Sequence, residues 1–422
     1  MPDIDVDKSG EGTVSAGPPG PVSQSERIVS LDVLRGFAVL GILVMNIQSF
    51  SMIGAAYMNP TAYGDLNGLN YLVWFLSHVL FDKKFMAIFS MLFGAGIALM
   101  AERREAAGLG AASLHYRRMG ILLVFGLAHA HLLWYGDILF AYSICGMAVF
   151  LFRRCRPGTL ITLGVLSIAV GWLLSAFFQG TLQYWPAENL EQVSGFWFPS
   201  QGAVAEELAA YRGGFSSQLV QRIPMAFFMQ TYVLLTQVVW RVGGLMLLGM
   251  ALFKLAVFSA ECSGKTYASM IAAALIVGVP LVVFGVTRNE AAGWNFESCF
   301  FAGTWFNYWA SPVVSLGWVA LVMLVCRRTV HGPATRRLAA AGQMALTNYL
   351  VQTIICTTIF YGHGFGLYGS VERWGQILIV FAVWVFQLMF SQWWLQRFRF
   401  GPFEWLWRSL SYMRVQPMRR AQ

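Results

Sequence analysis

SLDVLRGFAVLGILVMN, residues 30 to 46, decides how the rest of the chain is read. It is an apolar run suited to the body of a membrane span, yet it opens with Asp32 and Arg35 and carries Asn46 deep inside. A charged pair at the edge of hydrocarbon and an amide near its middle are costly unless something holds them. On a helix, residues 32, 35, 39, 42 and 46 share one face, and Arg35 to Asn46 is a rise of about 16 Å. Asp32 and Arg35 then fall near one headgroup layer and Asn46 near the bilayer middle. The plain reading is a capping Ser30 or Asp32, a snorkelling Arg35 and an Asn46 that ties helices together. The functional reading is an anion site at the mouth of a buried polar site.

The wider composition agrees with a membrane chain. Of 422 residues, 57% are hydrophobic and only 12% charged, with 16 Trp and 33 Phe, which places the chain among all-α polytopic helix bundles. The net charge of +9 does not indicate nucleic acid, because the arginines sit in short clusters between apolar runs, where they orient helices in a bilayer. Cys145, Cys155, Cys262, Cys299, Cys326 and Cys356 have no paired spacing, so neither a disulfide framework nor a zinc site is expected, and no other metal. Residues 1–26 are polar, rich in Gly and Pro and acidic at the start, and read as a retained, disordered tail.

A span needs about 20 apolar residues. Residues 34–54, 84–101, 119–135, 137–152, 159–180, 267–286, 305–326, 341–360 and 374–394 qualify. Residues 68–81 are short, and 224–258 is too long for one helix and is interrupted by Arg241. Basic loops stay in the cytoplasm, and the clusters Arg103/Arg104/Arg117/Arg118, Arg153/Arg154/Arg156, Arg327/Arg328/Arg336/Arg337 and the tail from Arg397 fix the count. Residues 68–81 are then placed in the outer interface and 224–258 crosses once, giving about ten transmembrane helices with both termini cytoplasmic. The expected organisation is a 27–180 bundle, a 181–222 outer loop with an amphipathic helix over 200–222, a 223–396 bundle, and a 397–422 cytoplasmic tail anchored at the interface by RFRFGPFEWLWRSL.

Polar residues inside these runs are the candidates for chemistry. GLAHAHLLWYGDIL (126–139) sets His129, His131 and Asp137 at the outer turn of a hairpin. Two His two apart point about 200° away from each other, so they do not share a metal, but one of them beside Asp137 suits a base or proton relay. His78 and Asp82 are four apart and face the same way, which also suits acid–base work. Asn348 and Gln352 share a face and read as interhelical hydrogen bonds or as ligands, and Gly94 and Gly96 as close helix packing.

Five stretches, SLDVLRGFAVLGILVMNI, FDKKFMAIFSMLFGAG, FGLAHAHLLWYGDILFAYSICG, AAGQMALTNYLVQ and FRFGPFEWLWRSL, together resemble the YeiB family of bacterial inner-membrane proteins, in order and over nearly the whole chain from residue 27. That family is loosely tied to transport. Its first half is similar to transmembrane acyltransferases such as heparan-glucosaminide N-acetyltransferase, which passes an acetyl group from cytosolic acetyl-CoA to an acceptor across the membrane. The matching residues here are Asp32, Arg35, Gly36 and Asn46. That enzyme has a catalytic His in the loop directly after its first helix, whereas residues 49–67 contain none and the nearest is His78.

The resemblance implies an acyl-CoA co-substrate, with no permanently bound cofactor, held near Asp32 and Arg35 with help from Arg117 or Arg118. The acyl group would reach a buried polar site around Asn46, and His78, His129 or His131 would serve as base or relay towards a small-molecule acceptor. The alternative is a transporter of a small metabolite, with Asn46, Asn348 and Gln352 lining its path; a membrane scaffold or sensor is a third reading. The bilayer is the expected partner, nucleic acid is not, and the oligomeric state stays open.

Overall fold

The computed structural model describes residues 28–329 and 332–420, so the tail at 1–26 lies outside the described residues. Among these the chain is helical, with one isolated bridge between Phe398 and Arg419 and no strand. The order is α1 (Val29–Ser51), α2 (Gly54–Met58), α3 (Gly68–Leu80), α4 (Lys84–Ala106), α5 (Ala112–Leu132), α6 (Leu139–Val149) and α7 (Pro157–Thr181). Next come α8 (Ala187–Trp197), α9 (Gln201–Arg212), α10 (Phe215–Phe228), α11 (Val239–Lys254), α12 (Gly264–Ala273) and α13 (Val279–Ala291). The chain closes with α14 (Phe296–Cys299), α15 (Trp305–Thr329), α16 (Pro333–Gln343), α17 (Ala345–Phe360), α18 (Arg373–Arg397) and α19 (Pro402–Tyr412).

Seven helical runs among the described residues are long and apolar enough to cross a membrane: 29–51, 68–106, 157–184, 215–254, 264–291, 302–329 and 373–397. The other three expected spans fall on α5, α6 and α16–α17, which are shorter or more polar.

The first helix is the centre of the bundle. Most of α1 is buried, and it lies against α4, α15, α16, α17 and α18. Missing side chains permit the closest of these contacts: a Cβ on Gly36 would stand 1.9 Å from the Leu338 carbonyl oxygen, and one on Gly342 1.9 Å from that of Asp32. Backbones this close gain dispersion contact where lipid supplies no hydrophobic drive between helices. Gly94 fits the Met246 carbonyl in the same way, whereas Gly96 meets nothing within 4 Å, so only the first of that pair is a packing glycine. Polar side chains fasten the remaining contacts, with Gln352 Nε2 donating to Val39 O (3.1 Å), Trp384 Nε1 to Leu40 O (2.9 Å) and Ser30 Oγ to Phe258 O (2.7 Å).

The long segment behaves differently from its sequence pattern. Arg241 does not interrupt it: residues 215–254 form one helical run whose irregularity is a π-helical stretch, Met229–Val238, just before Arg241. The amphipathic segment 200–222 is divided at Gly213–Gly214, so that its second part is the beginning of this run. The carboxy-terminal segment does more than lie at an interface. Glu404 of α19 is buried and accepts from the Thr347 N–H (3.0 Å) and hydroxyl, which fastens α19 to the start of α17.

Contacts gather the arginines of the basic clusters on one end of the bundle. Arg153 and Arg154 meet Glu105 (3.1 and 3.2 Å), Lys254 donates to Arg153 O (2.7 Å), Arg327 to Cys262 O (2.9 Å) and Trp407 to Arg118 O (3.0 Å). The opposite end is built from α2, α3, α8, α9, α14 and the loop before α18, where Arg373 donates to Pro60 O (2.9 Å) and Asp65 O (2.7 Å).

Candidate active site

At the arginine-rich end, Arg35 Nη1 donates to Asp32 Oδ1 at 2.8 Å, one helical turn back, and the Arg35 side chain keeps 30% of its surface accessible. Arg118 of α5 is its neighbour and lies 4.5 Å over the Trp407 ring of α19. Arg117 turns the other way, donating to Ser113 Oγ (3.3 Å) on its own helix. Of the arginines expected to help Arg35, the structure brings Arg118 to it and not Arg117. Two neighbouring guanidiniums, with one carboxylate fixing the first, have the chemistry to hold an anion.

Further along the bundle, α5 and α6 meet in a tight turn. Asp137 Oδ2 accepts the Phe140 N–H (2.7 Å) in the first turn of α6, which fixes the carboxylate and leaves Oδ1 for His129 Nδ1 at 2.9 Å. The other ring nitrogen, Nε2, meets Thr353 Oγ1 of α17 at 2.9 Å. Both members of the His–Asp pair are 1% exposed. A carboxylate on Nδ1 holds the proton there, so Nε2 carries the lone pair and accepts from the threonine hydroxyl. The rings of Tyr349 (5.2 Å between centroids) and Trp134 (6.3 Å) border the imidazole, and the buried Tyr349 hydroxyl and Trp134 Nε1 have no hydrogen-bond partner among the described residues.

The depth of this group follows from its contacts with α1. Gln352, next to Thr353, bonds Val39, and Trp134 packs on Phe50 at 4.2 Å, so His129 lies between those two levels of α1. Asn46 falls between them too; its side chain is half-buried and bonds no described residue. Along α1 from Arg35 to Asn46, and along α5 from Arg118 to His129, the separation is eleven residues, about 16 Å of helix.

The three histidines occupy separate places. His131 Nε2 meets Gln230 Oε1 (3.1 Å) on the π-helical stretch, away from His129, as their spacing requires. His78 Nδ1 lies 3.3 Å from Asp82 Oδ2, and Asp82 also accepts from Asn307 Nδ2 (2.7 Å) and the Tyr57 hydroxyl (3.4 Å). Asn348 donates to Ala341 O and Ser391 Oγ, both at 3.0 Å, and Gln352 reaches Gln387 Oε1 at 2.9 Å as well as Val39. These two amides make interhelical hydrogen bonds. Among the described residues no three His, Cys, Asp or Glu side chains come together.

Several residues of consequence carry little or no sequence signal. Thr353 is one ordinary threonine in an apolar helix, and only the α5–α17 contact gives it meaning. Glu207 sits in a stretch that reads as a surface helix, yet it accepts from the Gly54 N–H (2.9 Å) and the Tyr368 hydroxyl (2.8 Å), and burial raises its pKa above the usual carboxylate range. Lys83, Lys84 and Arg241 stand out by charge within apolar sequence, which is the one cue that marks them.

The fold and this site define a polytopic α-helical membrane protein with a His–Asp pair sealed in its interior. The family described as "Protein of unknown function (DUF418)" matches residues 252–414. The uncharacterized protein YxaH of Bacillus subtilis (strain 168) is 33% identical over 94% of this chain and 97% of its own length. The uncharacterized protein YeiB of Escherichia coli (strain K12) is 31% identical over 93% of this chain and 98% of its own. An uncharacterized 39.9 kDa protein in the amylase 3' region of Bacillus acidopullulyticus is 26% identical over 94% and 97%. The chain belongs to the YeiB family.

Proposed function

We propose that this protein is a membrane acyltransferase, which takes an acyl group from acyl-CoA at the arginine-rich end and passes it to an acceptor arriving from the opposite end. In this reading the arginine-rich end faces the cytoplasm of a bacterial inner membrane, with both termini there. The observation that carries the proposal is the Asp137–His129–Thr353 chain: a carboxylate on one imidazole nitrogen and a hydroxyl on the other, in a water-poor interior. That order makes a general base. Arg35 and Arg118 take the donor's phosphates, and the extended pantetheine arm covers a distance of the order of the 16 Å of helix that separates them from His129. The amide of Asn46, not engaged by any described residue, meets the arm at that depth.

The acceptor's hydroxyl or amine takes the place of the Thr353 hydroxyl at Nε2. His129 removes its proton as the freed electron pair attacks the thioester carbonyl. The carbon–sulfur bond breaks, and the imidazolium, stabilised by Asp137, returns the proton to the leaving thiolate. His78 and His131 take no part in this scheme.

The test is thiol release from acetyl-CoA by the purified protein in lipid nanodiscs, offered a panel of hydroxyl and amine acceptors. Asp137→Asn should still bind labelled acetyl-CoA but lose release by about 10² to 10⁴, and His129→Gln similarly. No release or binding by the wild type with any acyl-CoA tried, or variants as active as the wild type, would sink the proposal.

A second reading, transport of a small metabolite, draws support from the π-helical stretches Met229–Val238 and Ala274–Gly278 inside two long apolar runs, since such interruptions recur at functional points of membrane helices. Uptake into proteoliposomes without thiol release would favour it.

A further inference from the structure

The break between α3 and α4 gathers more positive charge than the surrounding protein balances. Lys83 and Lys84 are consecutive, Lys84 and Asp82 both bond Asn307, and Arg241 bonds Ser311 one turn further along the same helix, so the three cations gather around the one carboxylate of Asp82. That carboxylate is occupied by His78, Asn307 and Tyr57, and among the described residues no carboxylate oxygen comes within 4 Å of any of the three cations. Lys84 is fully buried and donates to two neutral oxygens, His78 O (2.8 Å) and Asn307 Oδ1 (2.7 Å). Arg241, 5% exposed, also donates to neutral groups, Tyr308 O (2.9 Å) and Ser311 Oγ (2.5 Å), and its buried Nε has no partner among the described residues. The half-buried Lys83 ammonium bonds nothing described.

Depth makes this imbalance expensive. From Lys84 to Arg103 on α4 is about 28 Å of helix, and from Asn307 to Arg327 on α15 about 30 Å, roughly the thickness of a hydrocarbon core. Lys84 and Asn307 therefore sit at the far boundary from the arginine-rich end. Arg241 reaches Ser311, one turn deeper than Asn307. Cations at this depth are ordinarily paired with an anion or with water. The start of α4 adds the positive end of its own dipole.

We propose that this cluster binds a phosphate group entering at the end of the bundle opposite the arginine-rich one. Three cations against one carboxylate leave an excess that a phosphate dianion closes, and a guanidinium with two ammonium groups supplies charge-assisted donors for its oxygens. The inference does not depend on acyl transfer, because none of these residues belongs to the donor mouth or to the His129 group. Both a phosphorylated lipid and a soluble phosphate compound carry the required chemistry.

The test is thermal unfolding of the full-length protein in detergent, with inorganic phosphate or hexadecyl phosphate added against sodium chloride of equal ionic strength. A ligand that binds the folded state raises the unfolding temperature. A rise with both probes identifies a soluble phosphate as sufficient, and a rise with hexadecyl phosphate alone identifies a lipid. Lys83→Gln should unfold no earlier than the wild type without phosphate, yet need about tenfold more of the probe for the same rise. Arg241→Gln should show the same loss and serves as the second variant. If neither probe shifts the wild type, or if both variants keep its full response, the cluster is not a phosphate site.

Discussion

Arg35 is held by Asp32 one turn away, yet nearly a third of its side chain stays open, so the ion pair aims the guanidinium and leaves donors free. If its task is to grip phosphate oxygens in pairs, Arg35→Lys should fold and insert normally but bind labelled acetyl-CoA at least about tenfold more weakly, because an ammonium lacks the planar fork. Equal binding by the variant would leave Arg35 a mere orienting charge. Glu207 lends itself to a test by pH. Burial raises its pKa above the unfolded glutamate value of about 4.3, so the folded chain binds that proton more readily than the unfolded chain. Its stabilising effect is complete at or below that value and is lost as pH rises through the folded pKa. Glu207→Gln keeps an oxygen for the Gly54 N–H and should flatten this part of the profile; the wild-type and variant unfolding temperatures should converge towards acid pH and separate towards neutral, with the variant no less stable there. Asp137, His129, Asp32 and Arg35 were legible in the sequence because charge is rare in apolar runs. Thr353 and Glu207 were not, because their partners lie more than a hundred residues away and nothing local sets them apart.

Helices that must nearly touch impose sharper rules than helices that face lipid. Gly342→Ala would drive a Cβ into the Asp32 carbonyl and push α16 from α1, a cost of about 1–3 kcal/mol or more for backbone that has nowhere to move. The same change at Gly96 meets open space and should be neutral or slightly stabilising, by up to about 1 kcal/mol from helix propensity. Yield of folded protein and unfolding temperature of the two variants check the contrast. Composition marks both glycines alike, and only the neighbour opposite tells them apart. The long 215–254 run teaches a related lesson. Arg241 looks like a breaker because a charge within hydrocarbon is costly, but a helix turn does not depend on side-chain polarity, and Tyr308 and Ser311 accept the guanidinium where it stands. The wide turns of Met229–Val238 leave no pattern in hydrophobic spacing.

For the molecule as a whole, the positive-inside bias predicts which end faces the cytoplasm. In a variant with Cys155 and Cys262 replaced by Ser, the remaining cysteines are buried, so added ones report cleanly. A membrane-impermeant maleimide applied to intact cells should label Asn189→Cys on α8 and spare Ser113→Cys on α5, both exposed positions at opposite ends. The reverse pattern would invert the direction of the proposed acyl transfer. Helical class and the positions of most long apolar helices could be read from apolar run lengths, whereas the arrangement of the helices could not, since lipid-facing and protein-facing residues are equally apolar. The contacts of α1 illustrate the point and carry a further consequence. Its most extensive partner, α16, is encoded in the last quarter of the sequence, whereas α4 follows it early. The Gly36 face of α1 is thus synthesised long before residues 333–343, which fill it in the folded protein, so this seam closes late. A chain ending before residue 333 would keep the contacts of α1 with α4 and α15 but lack the α16 backbone that fits against Gly36.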